Sequence, residues 1–450
     1  MFVRRAALLA ACTAALYPVA GLARAGEVPP SALRQQVAAE RHAIRLIARP
    51  DIQRALGTIA EDWHARTSGL LPETYARLHD AIREVAFMAA LQIIDNDPRR
   101  PHVIEISAAP HRWYGTSVPG GRWGINNPDT LYFTIPVEPG SRYVITGHRN
   151  GGGLTDANFT AQTGADWGAV DNLAGRDLKI DADGTYRITV DDQPAAEGGN
   201  HLRISGAANV VLIRNTLADW AHEQPDTLTV ERVDGPPAGP PPTEQDLASA
   251  IVSRLKAVID HSVNGLQPAI LRQPANVIPQ PGAIADKPGF LVTQRNALAH
   301  FRLADDEVLI ATFNPGGAGY ATLPVTSIWG ITPDARAHQI SLNTRQAVPN
   351  PDGTITVVLA QRDPGVANWI DLAGLHEGII MLRWQLLAAA LSGAEGPAVT
   401  SQVVKRNALW FALPASTARV TPKERRAQLQ RRAAGFDRRF TTRERLGAGD

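Results

Sequence analysis

Two stretches of this chain repeat one another, and that repetition limits its fold more than any other feature. "DGTYRITV" (Asp183 to Val190) matches "DGTITVVL" (Asp352 to Leu359). Downstream, "GNHLRISGAANVVLIR" (Gly199 to Arg214) matches "ANWIDLAGLHEGIIMLR" (Ala367 to Arg383). Asn200 falls on Asn368, Gly206 on Gly374 and Arg214 on Arg383, with one extra residue in the second copy. Each half reads as strand, turn, long loop, glycine turn and buried strand. The runs around them are β-branched and aromatic, cut by Gly, Pro and Asp, and show no regular β-α-β spacing. This predicts a mainly β protein with helical additions, built as two antiparallel β-sandwich domains by tandem duplication. The alternative is two unrelated sheets that share turn chemistry.

The rest of the chain divides around these halves. Residues 26–100 read as helical: Ser31 and Asp51 can cap two helices, and "PETYARLHDAIREVAFMAALQIID" reads as a third. In that third helix Tyr75, Leu78, Ile82, Val85 and Met88 stripe one face, until Pro98 ends the region. The first sandwich is expected over 101–234 and a proline-rich linker over 235–243. A helical connector over 244–300 opens with a capping box, Thr243 and Asp246, and carries Leu247, Ile251, Leu255 and Val258 at helical spacing. The second sandwich follows over 301–415. A basic tail over 416–450 opens with Thr421 and Pro422 as a helix start. There Leu429, Ala433 and Phe436 are expected to pack on the body while the arginines face water; the alternative is contact with an anionic surface.

The first 25 residues read as a secretory leader, with Arg4 and Arg5, an apolar run and "ARA" before the cut. A lipoprotein box at Cys12 and a twin-arginine signal fit less of the pattern. The expected address is therefore exported, periplasmic or extracellular, with no transmembrane span. Cys12 is the only cysteine, so the mature chain would carry no thiol or disulfide. From Arg419 onward ten Lys/Arg face four Asp/Glu. With that surplus and the leader's three arginines set aside from the net +1, the body carries about −8. Such a body does not hold nucleic acid by charge.

Several side chains are candidates for chemistry. Placing the extra residue of the second copy at Leu375 sets His376 and Glu377 opposite Ala207 and Ala208, so the fold does not require the pair. They could act as a general acid–base dyad or be plain turn polarity. A zinc-protease reading fails, because Ile380 stands where the second histidine is needed and Gly378 opposes a helix. "RWGINNPDTLYF" (Arg122 to Phe133) offers aromatic faces at Trp123 and Tyr132 and polar groups at Asn126, Asn127 and Asp129, a combination that suits a sugar; a turn-capping loop is the bland alternative. Asp219, Trp220, His222 and Glu223 fit a polar strand edge. Arg214 and Arg383 each end an apolar strand and could clamp an anion, or pair with an acid at a sheet rim. The histidines show no ligand spacing, no metal site is assigned, and no strand-to-helix nucleotide loop stands out. No cofactor and no oligomeric state can be assigned.

The segments "WGINNPDTLYFTIPVEPGSRYVITGHR", "GGNHLRISGAANVVLIRNTLADW", "SLNTRQAV" and "TPKERRAQLQRRAAGFDRRF", with the repeat pairs between them, resemble the longer members of the bacterial family catalogued as domain of unknown function 1214. The resemblance covers most of the chain after about Asp95. It implies jelly-roll-like β-sandwiches with helical additions, similar in shape to glycan-directed amidases. It implies no reaction and carries over no catalytic residue. The export signal and the lack of a mature cysteine depart from many relatives.

Two functions are expected on these grounds. One is an exported hydrolase acting on a glycan or similar polar substrate, with Asp129, His376 and Glu377 as acid–base groups. Trp123, Tyr132 and Trp369 would form its platform, with Asn126, Asn127, Asp371 and Arg383 as polar contacts. The other is a non-catalytic envelope protein that binds a carbohydrate or small molecule in a cleft between the sandwiches.

Overall fold

The computed structural model describes residues 31–164, 167–195, 197–282, 291, 293–387 and 396–439. The expected leader, with Cys12, lies outside the described residues. Helices come first: α1 (Ser31–Ile47), α2 (Pro50–Arg66), α3 (Pro72–Ala76) and α4 (Leu78–Ile94). The sequence predicts one helix from Pro72 onward, but it breaks at Arg77. There the Thr74 carbonyl accepts the Arg77 amide at 3.2 Å and the buried Trp329 indole N–H at 2.7 Å. A tertiary donor has claimed a carbonyl that a continuous helix would keep.

Next come β1 (Ile104–Glu105), the hairpin β2 (His111–Trp113) and β3 (Thr116–Val118), then β4 (Thr130–Pro136), β5 (Arg142–His148), β6 (Asp156–Thr163) and β7 (Ala169–Ala174). They are followed by β8 (Thr185–Asp191), β9 (Asn200–Arg203), β10 (Ala208–Thr216) and β11 (Thr227–Asp234). The connector holds α5 (Glu244–His261) and, after one wide turn, α6 (Gln267–Leu271). The second half contains β12 (Arg295–Arg302), β13 (Glu307–Asn314), β14 (Tyr320–Thr326) and β15 (Ser341–Asn343). It continues with β16 (Ile355–Ala360), β17 (Trp369–Asp371), β18 (Glu377–Gln385), β19 (Ala398–Lys405), α7 (Leu409–Ala412) and α8 (Pro422–Arg438).

The first sandwich faces a sheet of order β1-β4-β10-β6-β7 against one of order β11-β5-β8-β9. The second faces β12-β18-β14-β15 against β17-β16-β13-β19. Apart from β1, each strand of the first sandwich has a counterpart in the second at the same place in the same order. The duplication read from the repeats is therefore a duplication of topology. All pairs are antiparallel except β8 with β9 and β16 with β17, one parallel pair in each copy. Each sandwich has its own core. Ile145, Phe159, Ile188 and Ile213 fill the first, and Phe313, Leu323, Val357 and Leu382 fill the second.

One boundary and the packing of two helices differ from expectation. β12 begins at Arg295, inside the stretch assigned to the helical connector. Its alanines mask it, yet Ala297, Ala299 and Phe301 alternate into the second core while β18 supplies the ladder. The connector helix α5 packs on more than the sandwiches: Ile251, Leu255 and Val258 share one core with Trp63, Val85 and Leu91 of the N-terminal helices. The basic tail folds into α8 behind a Thr421–Glu424 capping box, and not all of its arginines face water. Arg425 is buried and pairs with Asp363 at 2.9 Å. Arg432 is buried, donates to Ser341 Oγ at 2.9 Å and lies 4.2 Å over the Trp220 ring. Leu429 and Ala433 are half-buried, and only Phe436 of the expected three is fully packed. Among the described residues no helix is long and apolar enough to cross a membrane.

Candidate functional site

Alternation along equivalent strands builds a cavity between the sandwiches. In β10, Val211 and Ile213 point into the first core, so Val210, Leu212 and Arg214 face the other way. In β18, Ile380, Leu382 and Trp384 fill the second core, so Met381, Arg383 and Gln385 face outward. The two outward faces meet around a cavity of about 440 Å³, closed by the ends of α4 and α5 and by the loop that precedes β4. Arg214 and Arg383 occupy matching positions of the two copies and both line it.

The loop before β4 is held tightly. Ile125 sits at φ 55°, rare for a β-branched residue, and its amide donates to the Gly330 carbonyl at 3.1 Å. Its carbonyl accepts Arg383 Nη2. Asn126 Nδ2 donates to Ser107 Oγ at 2.8 Å, and Asn127 Nδ2 to the Tyr320 hydroxyl at 2.8 Å. The Tyr132 hydroxyl oxygen accepts the Asn127 amide at 3.0 Å. Trp123, Asn126, Asn127 and Tyr132 thus reach the cavity wall from a braced frame.

The wall is cationic. Arg214, Arg254 and Arg383 all line it, and burial lowers the pKa of each. For Arg214 the charge of Arg383 adds to that lowering. Arg254, from α5, comes down to about 10, which still leaves it charged at neutral pH. It donates to Gln92 Oε1 at 2.9 Å and to the Gly164 carbonyl, and lies 4.7 Å over the Trp167 ring. Arg383 is 5 % exposed, and its Nη1 has no hydrogen-bond partner among the described residues. The same holds for Gln385 Oε1, whose own amide donates to Gln294. Asp95, at the end of α4, is the acid on this wall; burial raises it to about 7 against the opposing pull of His102 at 3.2 Å.

Of the residues selected from sequence, Trp123, Asn126, Asn127, Tyr132 and Arg383 come together here. The others do not. Asp129 is fully buried behind the wall, where it accepts from Trp220 Nε1 (2.9 Å), the Tyr320 hydroxyl (2.6 Å) and Asn343 Nδ2 (2.9 Å). Those three donors fix its role as a strut between the sandwiches. His376 and Glu377 form no dyad. His376 bonds Glu73 at 2.6 Å and Asp305 at 3.1 Å on the surface. Glu377 is buried against Arg302 at 2.6 Å and accepts the Leu71 amide at 2.6 Å. Both join the N-terminal helices to the second sandwich. Trp369 donates to the Ala360 carbonyl at 3.0 Å and packs below Arg425. Asp371 pairs with His338 at 2.8 Å. Neither Trp369 nor Asp371 is part of the cavity wall. Among the described residues no cluster of three His, Cys, Asp or Glu could hold a metal ion.

Sequence reasoning missed Trp167, Arg254, Gln385 and Asp95 as wall residues. Only Gln385 carried a usable signal, because it lies two residues past Arg383 on one strand face.

No family model matches the chain, and no curated protein matches it. An uncharacterized protein of known structure from Burkholderia cenocepacia is similar over 81 % of this chain and 99 % of its own, with TM-score 0.69 and 24 % identity. The VPA0106 protein from Vibrio parahaemolyticus aligns over 62 % of this chain and 90 % of its own, with TM-score 0.40 and 10 % identity. The first of these likenesses supports the fold alone.

Proposed function

We propose that this chain is an exported, non-catalytic binding protein that takes a small polar molecule into the cavity between its two sandwiches. One observation carries this reading. A cavity of about 440 Å³, with aromatic, amide and guanidinium side chains on its wall, lies where the two copies meet, while His376, Glu377 and Asp129 are engaged elsewhere. Volume and lining of this kind suit a ligand of sugar size: ring faces cover its apolar side, and amides take its hydroxyls. The leader-like first 25 residues support an envelope address, and the resemblance to the family of unknown function 1214 implies no reaction that would compete.

The test is thermal unfolding of the mature protein with a panel of sugars, sugar acids and small organic acids. A ligand at 100 times its Kd should add about 2.7 kcal/mol to stability, a rise of several degrees. The rise should disappear in Leu212→Trp, which fills the cavity. Turnover of any panel member that His376→Ala abolishes would overturn the reading in favour of the hydrolase. So would a ligand that stabilises Leu212→Trp as much as the parent.

A further inference from the structure

We propose that the cavity is an anion site whose occupant is a small hydroxylated carboxylic acid, with Arg383 as its anchor and Gln385 and Arg254 beside it. The inference rests on reading the cavity as a ligand site and adds the chemistry of the ligand.

Arg383 is the first ground. It is nearly sealed from water, it forms no ion pair among the described residues, and its Nη2 is engaged by a neutral carbonyl at Ile125. Its Nη1 has no partner. A buried guanidinium with an unused N–H is costly unless something fills that place, and a planar carboxylate matches its fork. Asp129 contributes a favourable field at Arg383, but its two oxygens are already taken by Trp220, Tyr320 and Asn343.

The second ground is the set of charges around it. Arg214 and Arg383 are brought to one wall by the packing of two equivalent faces, and the positive charge of Arg383 is felt at Arg214. Arg254 is a third cation, half-buried, with only neutral acceptors, Gln92 and the Gly164 carbonyl, in its hydrogen bonds. The acid on the same wall, Asp95, is held half-neutral near pH 7. A cavity with this balance favours a negative guest.

The third ground gives the hydroxyl. Gln385 Oε1 is an unmet acceptor on the same face of β18 as Arg383, two residues and about 6.8 Å along the strand. An unmet donor and an unmet acceptor on one strand face fit a ligand that carries both a carboxylate and an O–H. A simple fatty acid satisfies only the first, and a phosphate carries its O–H on the same centre as its charge.

The mature protein is titrated calorimetrically with lactate, mandelate, gluconate and glucuronate, and with glucose, mandelamide and inorganic phosphate as controls. The expected result is binding by at least one hydroxy acid, with its neutral counterpart at least 30-fold weaker. Arg383→Met should abolish that binding and leave the melting temperature of the empty protein equal or higher, because an unpaired buried charge is removed. Arg254→Gln, which keeps the cavity shape, should weaken the acid about 10-fold or more. Equal binding of glucose and glucuronate, unaltered in Arg254→Gln, would overturn the anion site while leaving the cavity a ligand site. Preference for phosphate over every hydroxy acid would overturn the carboxylate. Binding of no probe at all would overturn the inference. A folded Arg383→Met that has lost several degrees in the empty state would assign Arg383 a structural role instead.

Discussion

Asn200 and Asn368 make the same three hydrogen bonds in the two sandwiches. Asn200 Oδ1 accepts the Lys179 amide at 2.7 Å, and its Nδ2 donates to the carbonyls of Lys179 (2.8 Å) and Arg187 (3.0 Å). Asn368 accepts the Val348 amide at 2.8 Å and donates to the carbonyls of Val348 (2.7 Å) and Thr356 (3.0 Å). In each copy one side-chain amide joins the loop before a strand to that strand, β8 or β16, so the shared asparagine serves the fold.

The two asparagines differ in burial, and that difference makes a prediction. Asn368 is 8 % exposed, whereas Asn200 is only partly covered. Replacing Asn368 by alanine strands buried backbone groups and should cost about 2–3 kcal/mol of unfolding free energy. Water can replace the side chain at position 200, so Asn200→Ala should cost about 1 kcal/mol or less. Urea unfolding of both variants checks this. The reverse order would show that the two sites are not equivalent.

Asp129 offers a second test, one that separates a strut from a catalyst. Its carboxylate is fully buried and accepts from Trp220 of the first sandwich and from Tyr320 and Asn343 of the second. Asp129→Ala leaves the Trp220 indole N–H and the Tyr320 hydroxyl without an acceptor, takes one of two from Asn343 Nδ2, and should destabilise by about 3–5 kcal/mol. Asp129→Asn keeps the shape but puts a donor among donors, and should fall between. A variant as stable as the parent would refute the strut.

The sequence made the β architecture legible because turn residues and strand alternation are local signals, present twice. It also pointed to Arg214, Arg383 and the loop from Trp123 to Tyr132, all of which reach the cavity. It misled at His376 and Glu377 through one assumption, that whatever differs between the copies serves activity. Those two residues differ because this turn of the second sandwich meets α3 and the segment before it, through Glu73 and the Leu71 amide. What the copies share, an arginine at one strand position, is what meets at the cavity once equivalent faces pack together. Trp167 and Arg254 were illegible for another reason: nothing local to either residue reveals that α5 closes the first sandwich's open face. The buried arginines of α8 looked like solvent-facing charge, since helical spacing cannot show that Trp220 and Asp363 wait beneath them.

His376 gives a prediction in pH. Its hydrogen bond to Asp305 raises its pKa, burial opposes this, and Glu73 adds to the rise. A histidine with a raised folded pKa stabilises fully below its unfolded value near 6.5, and the contribution fades as pH climbs through the folded value. The cluster is well exposed, so the effect is small, about 1 kcal/mol or less. His376→Ala should therefore trail the parent in stability at pH 5.5 and match it by pH 9. A gap that widens with pH would refute the assignment.

Asp95 should act with the opposite consequence for alkaline stability. Burial lifts its carboxyl from 3.8 to about 7, with His102 pulling the other way, and its Oδ2 has no partner among the described residues. The folded protein then holds a proton that the unfolded chain releases between about pH 4 and 7, so this group lowers stability progressively as pH rises through that window. Below it both states are protonated and the effect vanishes; above it the penalty is complete. Asp95→Asn keeps the size and removes the ionisation. Its melting temperature should equal the parent's near pH 4 and exceed it by several degrees at pH 8, a gap of about 1–3 kcal/mol after allowance for relaxation around the buried charge. If the two melting curves stay parallel from pH 4 to 8, Asp95 is ionised in the folded protein throughout, and the cavity wall carries a full negative charge that the anion reading does not allow.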